Sequence, residues 1–213
     1  MLFRSIVLCT TLLGVFARAL RTDQLRFWAL GGVLNALGFC THYRFVVFIA
    51  AAGLFLLVTG KGREQWRRPG LYLALALTLP GLYPLVSFNL AHDFGGVLFH
   101  FSDRHSWEFN REGLGFWWQQ LLLVTPFLFV ALAAGLYRAW QRSRDGDWQA
   151  ALVLIFSLVY VLGFGLVNPW ADQRSTTLHW PVPGYVFAMV LLPATLRHFW
   201  RSGSWRPLRS EEH

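Results

Sequence analysis

Apolar positions along this chain gather into seven runs, at 3–20, 27–41, 45–59, 71–90, 116–137, 149–168 and 181–199. A helix needs about 20 residues to cross the hydrocarbon core of a bilayer. The runs 27–41 and 45–59 fall short of that and are joined by Thr41-His42-Tyr43-Arg44, so they either span with help from flanking Arg26 and Trp28 or form a re-entrant hairpin. In both cases the pair enters and leaves on one side, and the remaining five runs are long enough to cross. The pattern predicts an all-α, polytopic transmembrane bundle of about seven helices, forming one integral-membrane domain over residues 1–213. Its one substantial outer loop is expected at 91–115. Pro80, Pro84, Pro126 and Pro193 fall inside the predicted helices, which a bundle tolerates because neighbouring groups satisfy the freed carbonyls.

Charge then orients the bundle. When the loops are assigned alternately to two sides, one side receives Arg18, Arg21, Arg26, Lys61, Arg63, Arg67, Arg68, Arg138, Arg142, Arg144, Arg197, Arg201, Arg206 and Arg209. The other receives only Arg4, Arg44, Arg104, Arg111 and Arg174, balanced by Asp93, Asp103, Glu108, Glu112 and Asp172. Basic loops face the cytoplasm, so the C-terminus is expected inside and the 91–115 loop outside. The net charge of +8 is then a topology signal, and no nucleic-acid partner is expected. Trp28, Trp66, Trp140, Trp148, Trp200 and Trp205 fall near the inner ends of the runs, and Trp107, Trp117, Trp118, Trp170 and Trp180 near the outer ends, as an interfacial aromatic belt requires. Composition agrees: 55% of residues are hydrophobic and 14% charged, against about 45–50% and about 25% in soluble domains. Cys9 and Cys40 lie inside apolar runs and do not form a secreted disulfide framework. Ala17-Arg18-Ala19 resembles a signal-peptidase site, but cleavage there would invert every later loop against the arginine count.

No phosphate-binding glycine loop, dinucleotide fingerprint, metal-protease helix or nucleophile elbow is present. Five of the seven histidines (His42, His92, His100, His105 and His179) fall on the outer side, beside Arg44, Asp93, Asp103, Arg104, Asp172 and Arg174. Guanidinium binds phosphate bidentately, imidazole donates or relays a proton, and tryptophan faces pack against the C–H surface of a sugar. The substrate-contact candidates are Arg44, His92, Asp93, Arg104, His105, Arg174 and His179, with Trp107 and Trp180 as apolar walls. Each also has a plainer reading. His92-Asp93 reads as the capped end of the 71–90 helix, Arg104-His105 as part of a turn with a local ion pair, and Arg174 as a loop charge. Arg44 reads as a lipid-headgroup anchor, and His179-Trp180 as a helix entry before Pro181. A divalent metal on His92, Asp93, His105 and His179 is an open alternative, although no ligand-pair spacing supports it; no cofactor is expected.

Thr41-His42-Tyr43-Arg44, the stretch from Pro84 through Ser87-Phe88-Asn89 to His92-Asp93-Phe94, and Leu178-His179-Trp180-Pro181-Val182-Pro183-Gly184-Tyr185 resemble one bacterial group. They are similar to relatives of the dolichyl-phosphate-mannose protein mannosyltransferases, the family 39 glycosyltransferases that include aminoarabinose transferases. The resemblance implies a multi-pass transferase of the bacterial inner membrane. Such an enzyme moves a sugar from a polyprenyl-phosphate donor to an acceptor hydroxyl, on lipid or protein, at the periplasmic face. It also implies a carboxylate base and cations on the lipid phosphate. The family's acidic motif lies in its first outer loop, which would precede Met1. No residue here is therefore assigned to catalysis, and the chain is read as lacking an upstream part. Where relatives show Ser-Lys-Tyr and Trp-Asn, this chain has Thr41-His42-Tyr43 and Phe88-Asn89.

Two alternatives stay open: a transporter or flippase-like subunit for an anionic lipid, and a non-catalytic remnant. The first calls for ionisable residues near the bilayer midplane, whereas the main polar intrusions here are Asn35, Thr78, Gln119 and Gln120.

Overall fold

The computed structural model describes residues 2–99, 107–171 and 178–201, and the described residues form helices joined by turns and short irregular segments, with no strand among them. The first helix, α1 (Leu2–Thr22), buries Cys9, Leu12, Leu13, Phe16, Ala19 and Leu20, the spacing of one helix face. It stops at Asp23, whose φ of 54° and N–H bond to the Ala19 carbonyl (2.8 Å) form a left-handed cap. Helix α2 (Leu25–Thr41) runs back against α1, and a turn at Tyr43–Phe45 leads into α3 (Val46–Val58). Thr59 caps the short α4 (Gly60–Gln65) by accepting the Gly62 N–H at 2.9 Å. Next, α5 (Pro69–Thr78) continues through a tight turn at Leu79–Leu82 into α6 (Tyr83–Ala91) and then α7 (Gly95–Leu98).

Small residues set the spacing of the α2–α5 pair. A Cβ on Gly32 would lie 2.5 Å from the Ala74 carbonyl oxygen, so only glycine permits this approach, a device that membrane bundles favour.

The second half begins with a tight turn at Arg111–Gly115 and α8 (Phe116–Val124), followed by α9 (Pro126–Arg144) and α10 (Trp148–Ala171). It ends with α11 (Val182–Met189) and α12 (Leu192–Arg201). The α10 helix crosses the middle and packs on α3, α9 and α11. Phe156 at its centre meets Phe48 at 4.8 Å and Phe187 at 6.0 Å between ring centroids, edge-to-face contacts that favour aromatic cores.

Two of the expected single helices are broken. The run 116–137 divides into α8 and α9, bent by 102° at Thr125-Pro126, and 181–199 divides into α11 and α12, bent by 53°. The proline following Thr125 has no N–H and disfavours a helical residue before it. Among the described residues, Arg4–Thr22, Pro69–Ala91 and Trp148–Ala171 are long and apolar enough to cross a membrane, and each bent pair adds one more span if counted as a unit. Much of the outer surface is hydrocarbon: Tyr83, Leu90, Leu166 and Val190 are 65–73% exposed, which an aqueous monomer avoids over large areas.

The basic corners share one end of the bundle. Arg68 of the α4–α5 corner pairs with Asp23 of the α1–α2 corner at 2.7 Å. One surface recess is lined by both Lys61 and Ser143, and another by Arg18, Arg21 and Gln149. The opposite end, where Ser5 of α1 lies, carries the turns that hold His42 and His179.

Candidate functional site

At that opposite end a cavity of about 130 Å³ opens between α1, the Tyr43–Phe45 turn, α10 and the turn leading into α11. Ser5 and Cys9 form its α1 wall, Tyr160 and Phe164 its α10 wall. His42, Arg44, His179 and Trp180 stand where the two turns meet it.

The first turn is built around His42. This residue ends α2 in an extended conformation (φ −164°, ψ 128°), and its Nδ1 accepts the Arg44 backbone N–H at 3.1 Å. An accepting Nδ1 places the proton of a neutral ring on Nε2. The capped turn throws the Arg44 side chain back across Tyr43, where Nε donates to the phenol oxygen at 3.2 Å. Its guanidinium carbon comes to rest 3.5 Å from the centroid of the Trp180 ring, well inside the range of a cation–π contact. Arginine keeps its charge at all accessible pH, so the cavity mouth holds a permanent, oriented cation with aromatic rings beside it.

The second turn is held from three sides. The Leu178 carbonyl accepts the side-chain N–H of Gln120, fully buried on α8, at 2.8 Å. Phe164 of α10 meets the Trp180 ring edge-to-face at 5.3 Å. Pro181 and Pro183 start α11 without wasting donors, since the first turn of a helix has no internal partners for its N–H groups. Gly184 then lets α11 lie flat on α10, because a Cβ there would sit 2.8 Å from both the Ser157 carbonyl oxygen and Tyr160 Cβ.

Deeper in, the Cys9 thiol and the Tyr160 hydroxyl lie 3.6 Å apart, and both residues are buried. The Ser5 hydroxyl is buried and meets no hydrogen-bond partner among the described residues. A buried hydroxyl left in that state costs about 1–3 kcal/mol, which a ligand oxygen or a water would recover. No carboxylate lines the cavity among the described residues. The charged and titratable side chains at the cavity are thus the Arg44 guanidinium, the His42 and His179 imidazoles, the Cys9 thiol and the Tyr160 hydroxyl.

Of the residues singled out in the sequence, Arg44, His179 and Trp180 come together here. His92 does not line the cavity: exposed at the end of α6, it stacks on Phe88 at 4.3 Å and contacts the Phe88 carbonyl through Nδ1 at 2.9 Å. Asp93 follows it with φ 49°, in a turn that Asn89 organises by accepting the Val97 N–H at 2.9 Å. Trp107 is exposed and also outside the cavity lining. Arg104, His105 and Arg174 lie outside the described residues. Among the described residues, no group of three or more His, Cys, Asp or Glu could hold a metal ion. Ser5, Tyr160 and Phe164 carry no mark in the sequence, and Cys9 reads there only as a thiol outside any disulfide framework, because a residue inside an apolar run gives no sign of the cavity it will face.

Comparison with known proteins bears on the same region. Residues 2–88, which include α1 and the His42–Arg44 turn, match the family model described as dolichyl-phosphate-mannose-protein mannosyltransferase. The lipid A galacturonosyltransferase RgtD of Rhizobium johnstonii is 29% identical over 178 residues, covering 81% of this chain and 36% of that protein. The chain thus spans about a third of the length of the curated relative it matches. No solved structure matches it. Family model and relative together make this chain similar to the family 39 type of membrane glycosyltransferase, the likeness that the His42, Asn89 and His179 motifs carry in the sequence.

Proposed function

We propose that this chain forms part of a membrane glycosyltransferase that moves a sugar from a polyprenyl-phosphate donor to an acceptor hydroxyl on the extracytoplasmic face. The cavity at Arg44 receives the donor. The Arg44–Trp180 contact carries this reading: a fixed guanidinium held by aromatic rings, at the rim of a mostly apolar cavity, at the arginine-poor end of the bundle. In this role Arg44 and the His42 ring hold the donor phosphate, where charge grows as the sugar departs and a preoriented cation acts most strongly. Trp180 and Phe164 form the apolar wall for the sugar and the first isoprene unit, while the Ser5 hydroxyl meets a sugar oxygen. The base that accepts the acceptor's proton belongs to a carboxylate outside this cavity lining. The relative's name, a lipid A galacturonosyltransferase, favours a glycolipid acceptor.

The test is steady-state kinetics of the full-length enzyme with a defined polyprenyl-phosphate sugar. Arg44→Gln is expected to raise the donor KM about tenfold or more, the loss of one charge-assisted phosphate contact of about 1.5–3 kcal/mol, and to leave the acceptor KM in place. An unchanged donor KM with a folded variant would reject the assignment.

A further inference from the structure

A second cavity lies toward the basic end of the bundle. With a volume of about 240 Å³, it is enclosed by α1, α2, α3 and α5, and its walls are mostly hydrocarbon. An apolar cavity of about 150 Å³ already holds benzene, so this one accommodates a length of aliphatic chain. Phe27 stands at its basic-end rim, and two arginines converge on that ring. The guanidinium carbon of Arg18 lies 5.5 Å from the ring centroid and that of Arg26 4.9 Å. Arg26 also donates to Gln24 at 2.8 Å, and neither arginine has an ion pair among the described residues. Arg68 nearby is neutralised by Asp23. Just inside the rim, Trp28 is 2% exposed, lines the cavity, and has no acceptor for its indole N–H among the described residues. Asn35, two helical turns further along α2, likewise leaves its Oδ1 buried and unpartnered. With Thr78 also lining that inner end, the site is polar enough there for a water beside the chain terminus.

The order of features from the surface inward is therefore cation, cation, aromatic ring, hydrocarbon. A glycerophospholipid has the complementary order of anionic phosphate and acyl chain, and basic pockets between membrane helices bind anionic headgroups. We propose that the α1–α2–α3–α5 cavity and the arginines at its rim form a binding site for an anionic glycerophospholipid of the surrounding leaflet. The phosphate sits at Arg18 and Arg26, and one acyl chain fills the cavity. The site is separate from the one at Arg44, occupies the other end of α1, and does not depend on the sugar-transfer reading.

Native mass spectrometry of the detergent-purified chain, titrated with phosphatidylglycerol or phosphatidylcholine of identical acyl chains, tests it. Retention of phosphatidylglycerol is expected to exceed that of phosphatidylcholine. Removing Arg18 and Arg26 as R18Q and R26Q should erase about fivefold of that preference each, the factor matching about 1 kcal/mol per basic side chain at an anionic surface. Gly53 lines the cavity and has open space where a Cβ would go. Gly53→Leu should therefore fold with unchanged helicity yet lower retention of both lipids about tenfold, as about two methylenes are displaced. Inorganic phosphate in excess should not compete. A headgroup preference that survives R18Q and R26Q, a Gly53→Leu variant that keeps both lipids, or full competition by phosphate would each overturn the site.

Discussion

The guanidinium carbon of Arg44 lies 3.5 Å from the centroid of the Trp180 ring, tying the turn after α2 to the turn before α11. An exposed cation–π contact is worth about 0.5–1 kcal/mol, and a desolvated one about 2. Arg44 is half-buried, so a double-mutant cycle of Arg44→Gln and Trp180→Leu on thermal stability in detergent is expected to give a coupling of about 1 kcal/mol. Strictly additive effects would reduce the pair to neighbours.

Gln120 tests whether the His179–Trp180 turn is held from below. Its side-chain N–H donates to the Leu178 carbonyl at 2.8 Å from a fully buried position. Gln120→Met keeps the volume but leaves that carbonyl unpaired, at a cost of about 1–3 kcal/mol. A lowered Tm with increased protease cleavage around residue 178 is expected, and a melt identical to the parent's would show that the turn stands without it.

Gly184 is a contact between helix backbones rather than a flexible joint. With a Cβ placed 2.8 Å from the Ser157 carbonyl oxygen, Gly184→Val must push α11 off α10. Overpacking of this kind costs about 1–3 kcal/mol. The expected result is a Tm loss of several degrees together with a raised donor KM, since Trp180 moves with α11. Substitution without change in either would mean that α11 sits further out.

Thr125 carries φ 68° at the α8–α9 break, a left-handed conformation in which a β-branched side chain is strained by about 1–3 kcal/mol. Thr125→Gly relieves the strain while keeping the bend and is expected to raise the Tm. A lowered Tm would indicate a different backbone at the break.

Asp147 gives a pH signature at the basic end. Burial works against its charge, but the Ala150 N–H, the Arg142 guanidinium and the Gln149 N–H outweigh it, so its pKa lies below the ordinary carboxylate value. A depressed folded-state pKa contributes stability above the unfolded value of about 3.9, and that contribution disappears as pH falls through the folded value. Asp147→Ala should lose the N-cap of α10, about 0.5–2 kcal/mol, at pH 7. The Tm gap between parent and variant should close as the pH is lowered below about 4; a gap that widens in acid would reverse the sign.

Much of this architecture could be read directly from the chain. Each of the seven apolar runs became helix, and the arginine-rich corners that the alternating count placed together do meet, through Arg68 and Asp23. Pro126 and Pro193 mark the neighbourhoods of the breaks at 125 and 190–191, but hydropathy averages over a window and gives neither the size of the bend nor a backbone angle such as the one at Thr125. The site was half legible for a similar reason. Arg44 and His179 stand out as polar residues at the ends of apolar runs. Ser5 and Tyr160 are indistinguishable from other polar atoms within a helix until α1 and α10 are packed together. His92-Asp93 stands apart from the cavity, exposed at the end of α6 as its plainer reading in the sequence has it, with Phe88 and Asn89 shaping the turn.

Ser5 and Cys9 on α1 and Trp180 before α11 line one cavity although nine helices among the described residues separate α1 from α11 in sequence. One wall of the pocket is therefore synthesised well before the other. The α1 face must rest against other groups until the run 181–199 has been made and closes on it.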